Sequence, residues 1–136
     1  MLGWNVAIPE VDIGDDIFVV QDDNGTLRRV QVKTSASTIR NKTISGQFSV
    51  SAKNLLNVTN ILVHYVFLVR HNDKWIKPVI IRQDYLLDHF DNNGVGSESK
   101  GNITFYFSYL GEEVKCSGQS FTGYVNDFAD FPPIKH

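Results

Sequence analysis

The chain has a single cysteine, Cys116, so no disulfide can form within it. Its four histidines, His64, His71, His89 and His136, stand apart in sequence, which leaves no Cys/His cluster with zinc spacing. Charge of one sign is also scarce: 13 basic against 15 acidic residues give a net charge of −2. That balance excludes a protein that holds nucleic acid mainly by bulk positive potential, so any DNA contact must be local or built by an oligomer. Long hydrophobic runs are missing too. The most apolar stretch, residues 61–69, is interrupted by His64 and falls far short of the roughly 20 residues that span a bilayer. No charged segment followed by an apolar stretch of signal-peptide length opens the chain, so the three sequons at Asn41, Asn57 and Asn102 read as chance matches. A cytoplasmic protein without membrane contact is expected.

What is present is a packable composition. Apolar residues make up 42% of 136 positions and aromatics 12%, enough for one hydrophobic core and too little for two ordinary domains, so residues 1–136 read as one domain. Residues 16–20 and 26–33 read as two strands joined by a turn that contains Asn24-Gly25, the strongest short hairpin signal. A third strand is expected over 46–51, reached through the Ser/Thr-rich connection 34–38 and the basic Arg40-Asn41-Lys42. The same sheet then grows by a buried strand over 60–70 and an antiparallel partner over 75–81. Helical spacing follows over 82–90, stopped by Asp91-Asn92-Asn93-Gly94. Residues 94–101 read as a mobile Gly/Ser-rich loop, 103–110 as a late strand, and the tail is expected to pack through Tyr124, Phe128 and Phe131.

The hairpin carries the suggestive chemistry. If Asn24-Gly25 form a two-residue turn, Asp16 falls opposite Lys33 and Phe18 opposite Gln31, which sets Asp16, Gln31 and Lys33 on one face; a loop one residue longer or shorter takes Asp16 off it. A carboxylate, an amide oxygen and an ammonium group at one spot suit a hard divalent cation such as magnesium or manganese, with the Val32 backbone carbonyl as a further ligand and Lys33 beside the attacking water. Arg28, Arg29, Arg40 and Lys42 are the candidate phosphate contacts. His64 is expected on one face of a sheet rather than as a base, and Cys116 as an inert thiol.

The run Gly14-Asp15-Asp16-Ile17-Phe18-Val19-Val20, followed by Arg29-Val30-Gln31-Val32-Lys33-Thr34, resembles the PD-(D/E)XK nuclease superfamily. An aspartate enters an apolar strand, and an acid-or-Gln, any residue, Lys signature lies on the next. The Gln-Val-Lys form, with Gly3-Trp4 and Pro9 upstream, is most similar to the branch that includes a group I intron homing endonuclease and small stand-alone domains. The likeness is sharp over residues 3–36. It implies an α+β (α/β/α-like), restriction-endonuclease-like fold: a mixed sheet with the N-terminal hairpin at its core and few flanking helices. It also implies magnesium-dependent hydrolysis of DNA without a small-molecule cofactor. The family places a metal-binding glutamate on a helix before the Gly-Trp position. Here that helix is expected to be lacking, which leaves a truncated start, Glu10 as substitute ligand, or an incomplete metal site, and an uncovered sheet surface then points to a homo-oligomer, most simply a dimer. The alternative expectation is a catalytically inactive nuclease-fold domain that binds DNA or protein.

Overall fold

A computed structural model describes residues 5–7, 16–21, 27–57 and 62–126. Along the chain run β1 (Asn5–Ala7), β2 (Asp16–Gln21), β3 (Leu27–Ala36), β4 (Thr38–Arg40) and β5 (Thr43–Ser51), then α1 (Ala52–Leu56). They are followed by β6 (Leu62–His71), β7 (Lys74–Arg82) and α2 (Gln83–Asn93). Last come β8 (Ser97–Ser99), β9 (Asn102–Leu110), β10 (Glu113–Cys116), β11 (Gln119–Ser120) and a 3-10 turn at Thr122–Tyr124. Strands dominate, and the fold is of the mixed α+β kind.

The strands form two sheets instead of the single one expected. The first has the order β1-β2-β3-β6-β7 and is mixed, because β3 and β6 are parallel while the other neighbours are antiparallel. The second has the order β11-β10-β9-β5-β4, with β8 also paired to β9. Alternation decides the packing. β9 buries Ile103, Phe105, Phe107 and Tyr109 and exposes every other residue wholly or in part, and β5 buries Gly46, Phe48 and Val50 in the same way. These faces meet Tyr65, Phe67, Val69, Val79 and Ile81 of the first sheet. Phe67 is the hub, with ring centroids 4.9 Å from Phe48, 5.1 Å from Phe107 and 6.1 Å from Phe105. The layer against the mixed sheet is thus a second sheet, where the α/β/α-like reading expected helices.

The sheets come closest at Gly46, where a Cβ would stand 2.4 Å from Val69 Cγ2. Nearby, β3 runs into β4 through Ser37 alone and so changes sheets. Ser37 N–H donates to the Arg70 carbonyl at 3.0 Å, and Gln47 N–H donates to Ser35 Oγ at 3.0 Å. The segment 34–38, expected as a connection, is therefore strand on both sides of one bend. On the far side Val125 bridges to Val79, and Asn126 N–H donates to the Pro78 carbonyl at 2.8 Å. α1 and α2 pack Leu55 and Leu86 into the core. α2 stops at Gly94 in the left-handed conformation, as the turn residues predict. Part of the expected 94–101 loop is the short strand β8. Tyr124 packs against the core, whereas Phe128 and Phe131 lie outside the described residues. Among the described residues, no helix is long and apolar enough to cross a membrane.

Candidate functional site

β3 is the central strand of the mixed sheet, flanked by β2 and β6. Its alternation sends Gln31 and Lys33 to one face, where their partners across β6 are Tyr65 and Phe67, both core residues. Only 4% of Gln31 and 7% of Lys33 is exposed. Neither lacks an interaction in the fold, as burial of an amide and an ammonium group requires. Val32 lies on the opposite face and is partly buried.

The register between β2 and β3 differs from expectation. Asp16 pairs with Val32 and Ile17 with Gln31, so the pairing has moved by one residue. The physical reason is the connection: β2 ends at Gln21 and β3 begins at Leu27, which leaves five residues between the paired ends where a two-residue turn was assumed. A one-residue change exchanges faces. The backbone position of Asp16 is thus on the Val32 face, apart from Gln31 and Lys33, and Phe18 pairs with Val30. Glu10 lies outside the described residues.

The basic candidates do not gather around Lys33 either. Arg29 is exposed on β3, and Arg28 occupies the register position opposite Val20 and Leu62. Arg40 and Lys42 are exposed at the turn between β4 and β5, and Arg40 is seven residues past Lys33, roughly 20 Å along the strand. His64 is buried on the face opposite Lys33, in register with Val30 and Arg82. Among the described residues no three His, Cys, Asp or Glu side chains converge on a possible cation. On the Gln31–Lys33 face, the described members of the expected cluster are one amide oxygen and a cation.

Three buried polar groups gave no signal in the sequence. Gln83 opens α2, and its Nε2 donates to the carbonyls of Asn54 at 2.8 Å, Leu55 at 2.9 Å and Asn57 at 3.2 Å, which closes the end of α1. Lys77 has φ +37° next to the register shift between Phe67 and Val69, and its Nζ is shielded with no hydrogen-bond partner. Tyr109 Oη is likewise shielded without one. No residue spacing announces such groups, because each depends on a neighbour distant in sequence.

Cys116 is fully buried, and burial pushes its thiol up to about 12. Burial, and secondarily the nearby Cys116, also raises the Tyr109 hydroxyl. Both groups ionise earlier in the unfolded chain, which then binds fewer protons than the native state. Their contribution is fully present below pH 9.0, the ordinary value of the thiol, and is lost progressively as pH rises above it. Urea unfolding should show stability falling by about 1.4 kcal/mol per pH unit for each group ionised only in the unfolded state. Cys116→Ala should flatten that slope; an unchanged slope would mean that the thiol does not titrate differently on folding.

Comparison with family profiles, with curated proteins and with solved structures returns no match to this chain.

Proposed function

We propose that this chain is a catalytically inactive domain that works as a DNA- or protein-binding module, its nuclease-like ancestry resting on the resemblance carried by residues 3–36. The observation that carries the reading is the register of β2 on β3, which separates the position of Asp16 from Gln31 and Lys33. Hydrolysis of a phosphodiester needs its charge-stabilising groups on one spot that the substrate can reach. Lys33, 7% exposed next to Phe67, faces the second sheet instead of a phosphate in solvent.

A second reading, magnesium- or manganese-dependent DNA endonuclease activity, is favoured by one observation: Gln31 and Lys33 are polar and buried on a face otherwise lined by Tyr65 and Phe67. A strand that served packing alone would carry aliphatic residues there, since burying a lysine is costly. The two readings part in one experiment. Supercoiled plasmid and branched DNA are incubated with the chain, with Lys33→Ala, and with Asp15→Asn and Asp16→Asn, because a one-residue change in register exchanges these consecutive acids. The inactive reading expects no metal-dependent nicking by any of them. Nicking by the chain that falls about 100-fold or more in Lys33→Ala, the size expected for one charge-stabilising group, would replace it with the endonuclease.

A further inference from the structure

The second sheet buries one face in the core and turns the other outward. Every second residue of β5 from Thr43 to Ser51, and of β9 from Asn102 to Leu110, stands on the outward face. None of them carries a charge, although 21% of the chain does and charged side chains are the usual occupants of solvated surface. Hydroxyls and amides take their place. On one border, Glu113 and Lys115 of β10 are paired with each other at 3.2 Å. On the other, Arg40 of β4 stands opposite Thr43, roughly 13 Å along β5 from Gln47.

Tyr106 is at the middle of this face. The register sets Gln47 directly opposite it, with Ser45 and Ser49 on the diagonals and Thr104 and Ser108 as its neighbours along β9. Opposed side chains of that kind start about 5 Å apart and diagonal ones about 7 Å. Trp75, Tyr85 and Tyr106 are the large exposed aromatics, at 51%, 47% and 58%. A guanidinium covers two of them: Arg70 lies 5.7 Å from the Trp75 ring centroid and Arg82 lies 4.5 Å from that of Tyr85. Among the described residues, no cation lies over the Tyr106 ring.

An uncovered ring amid hydroxyls and amides, away from unpaired charge, suits a ligand with an apolar face, many hydroxyls and no charge. A pyranose has that build. One side of its ring presents C–H groups that pack on an aromatic face, and its hydroxyls donate and accept, as the side chains of Ser, Thr and Gln do. A nucleic acid would need cations here, and a protein interface would need a core of apolar side chains that one ring and Leu110 do not supply.

We propose that the outward face of the second sheet is a binding site for a neutral oligosaccharide, with Tyr106 stacked on one sugar ring and Gln47, Ser45 and Thr104 bonded to its hydroxyls. The site goes beyond the DNA- or protein-binding reading and does not depend on it, since Gln31 and Lys33 belong to the other sheet and face inward.

The test follows amide chemical shifts by NMR while cellohexaose, maltohexaose and mannohexaose are each titrated to millimolar concentration. At least one of them is expected to shift β5 and β9 and to leave β6 and β7 unchanged. For that sugar, Tyr106→Ala should weaken binding roughly tenfold, the size of one aromatic contact, while Tyr106→Phe retains most of it. Gln47→Ala should weaken it roughly fivefold, the loss of one hydrogen bond. Trp75→Ala, which removes an exposed aromatic from the other sheet, should bind like the parent. Raising salt from about 50 to about 500 mM should leave the affinity unchanged, because no counterion is released. Both Tyr106 and Gln47 are exposed, so their variants keep the fold, and the unshifted remainder of each spectrum verifies it. The proposal is overturned if none of the three sugars binds, if the shifts map to the other sheet, if Tyr106→Ala and Gln47→Ala both bind at parent strength, or if an oligothymidylate binds this face more tightly than any of the sugars.

Discussion

Phe67→Ala should cost about 4 kcal/mol of unfolding free energy, a large part of the stability of a domain this size. The ring lies between the two sheets. It meets Phe48 and Phe107 at 4.9 and 5.1 Å and stacks near Tyr65 at 6.1 Å, so its removal leaves a cavity bounded by rigid rings on strands that cannot close up independently. Tyr106→Ala is the matched control. It removes an aromatic side chain from the other face of the second sheet, where 58% of the residue is exposed, and should stay within about 0.5 kcal/mol of the parent. Urea denaturation with an unchanged m-value measures both. A Phe67→Ala cost close to that of Tyr106→Ala would mean that the sheets are not packed through this ring.

Gln83→Leu should cost about 3 kcal/mol for a different reason. The substitution keeps the side chain's bulk but removes the amide that donates to Asn54, Leu55 and Asn57, so carbonyls at the end of α1 lose their partner in a place water reaches poorly. Gln83→Glu sharpens the test. A carboxylate among those carbonyls is repelled, which raises its folded pKa above the unfolded value near 4.3. Stability of Gln83→Glu is then greatest below the unfolded pKa, where the protonated acid donates again, and is lost as pH rises through the folded pKa. The parent chain lacks this dependence at position 83. Thermal melts of the two at about pH 4 and pH 7 compare them directly; a gap between parent and variant that does not change with pH would show that Gln83 does not serve those carbonyls.

How much of the fold could be read in advance varies by element. The alternation in 103–110 identified β9, and the apolar run around His64 identified β6 together with its antiparallel partner β7. The turn residues after Phe90 include Gly94, where α2 stops, although the helix runs three residues past the end expected at Phe90. These features are local: a period of two, an apolar run between polar turns, or a glycine needed at a positive φ, each legible from neighbours in the chain. The short strands β4, β8, β10 and β11 were not legible, because two to four residues are too few to establish a period.

The candidate site divides along the same line. The presence of Gln31 and Lys33 on one face of one strand followed from alternation alone, and the structure has them there. Whether Asp16 joined them depended on a pairing register set by the length of the connection, and five residues between the paired ends moved Asp16 to the other side. Burial of Lys33 was equally out of reach, since the second sheet against which that face packs is assembled from β4, β5 and β9, up to 77 residues further along a 136-residue chain. The sequence by itself determined that this is a strand-rich, one-core protein and which residues of each long strand share a face. Only the tertiary structure decided that Ser37 passes the chain from one sheet to the other, which strands became neighbours, and which polar side chains were enclosed. A side-chain period of two specifies a face but carries no information about what will cover it.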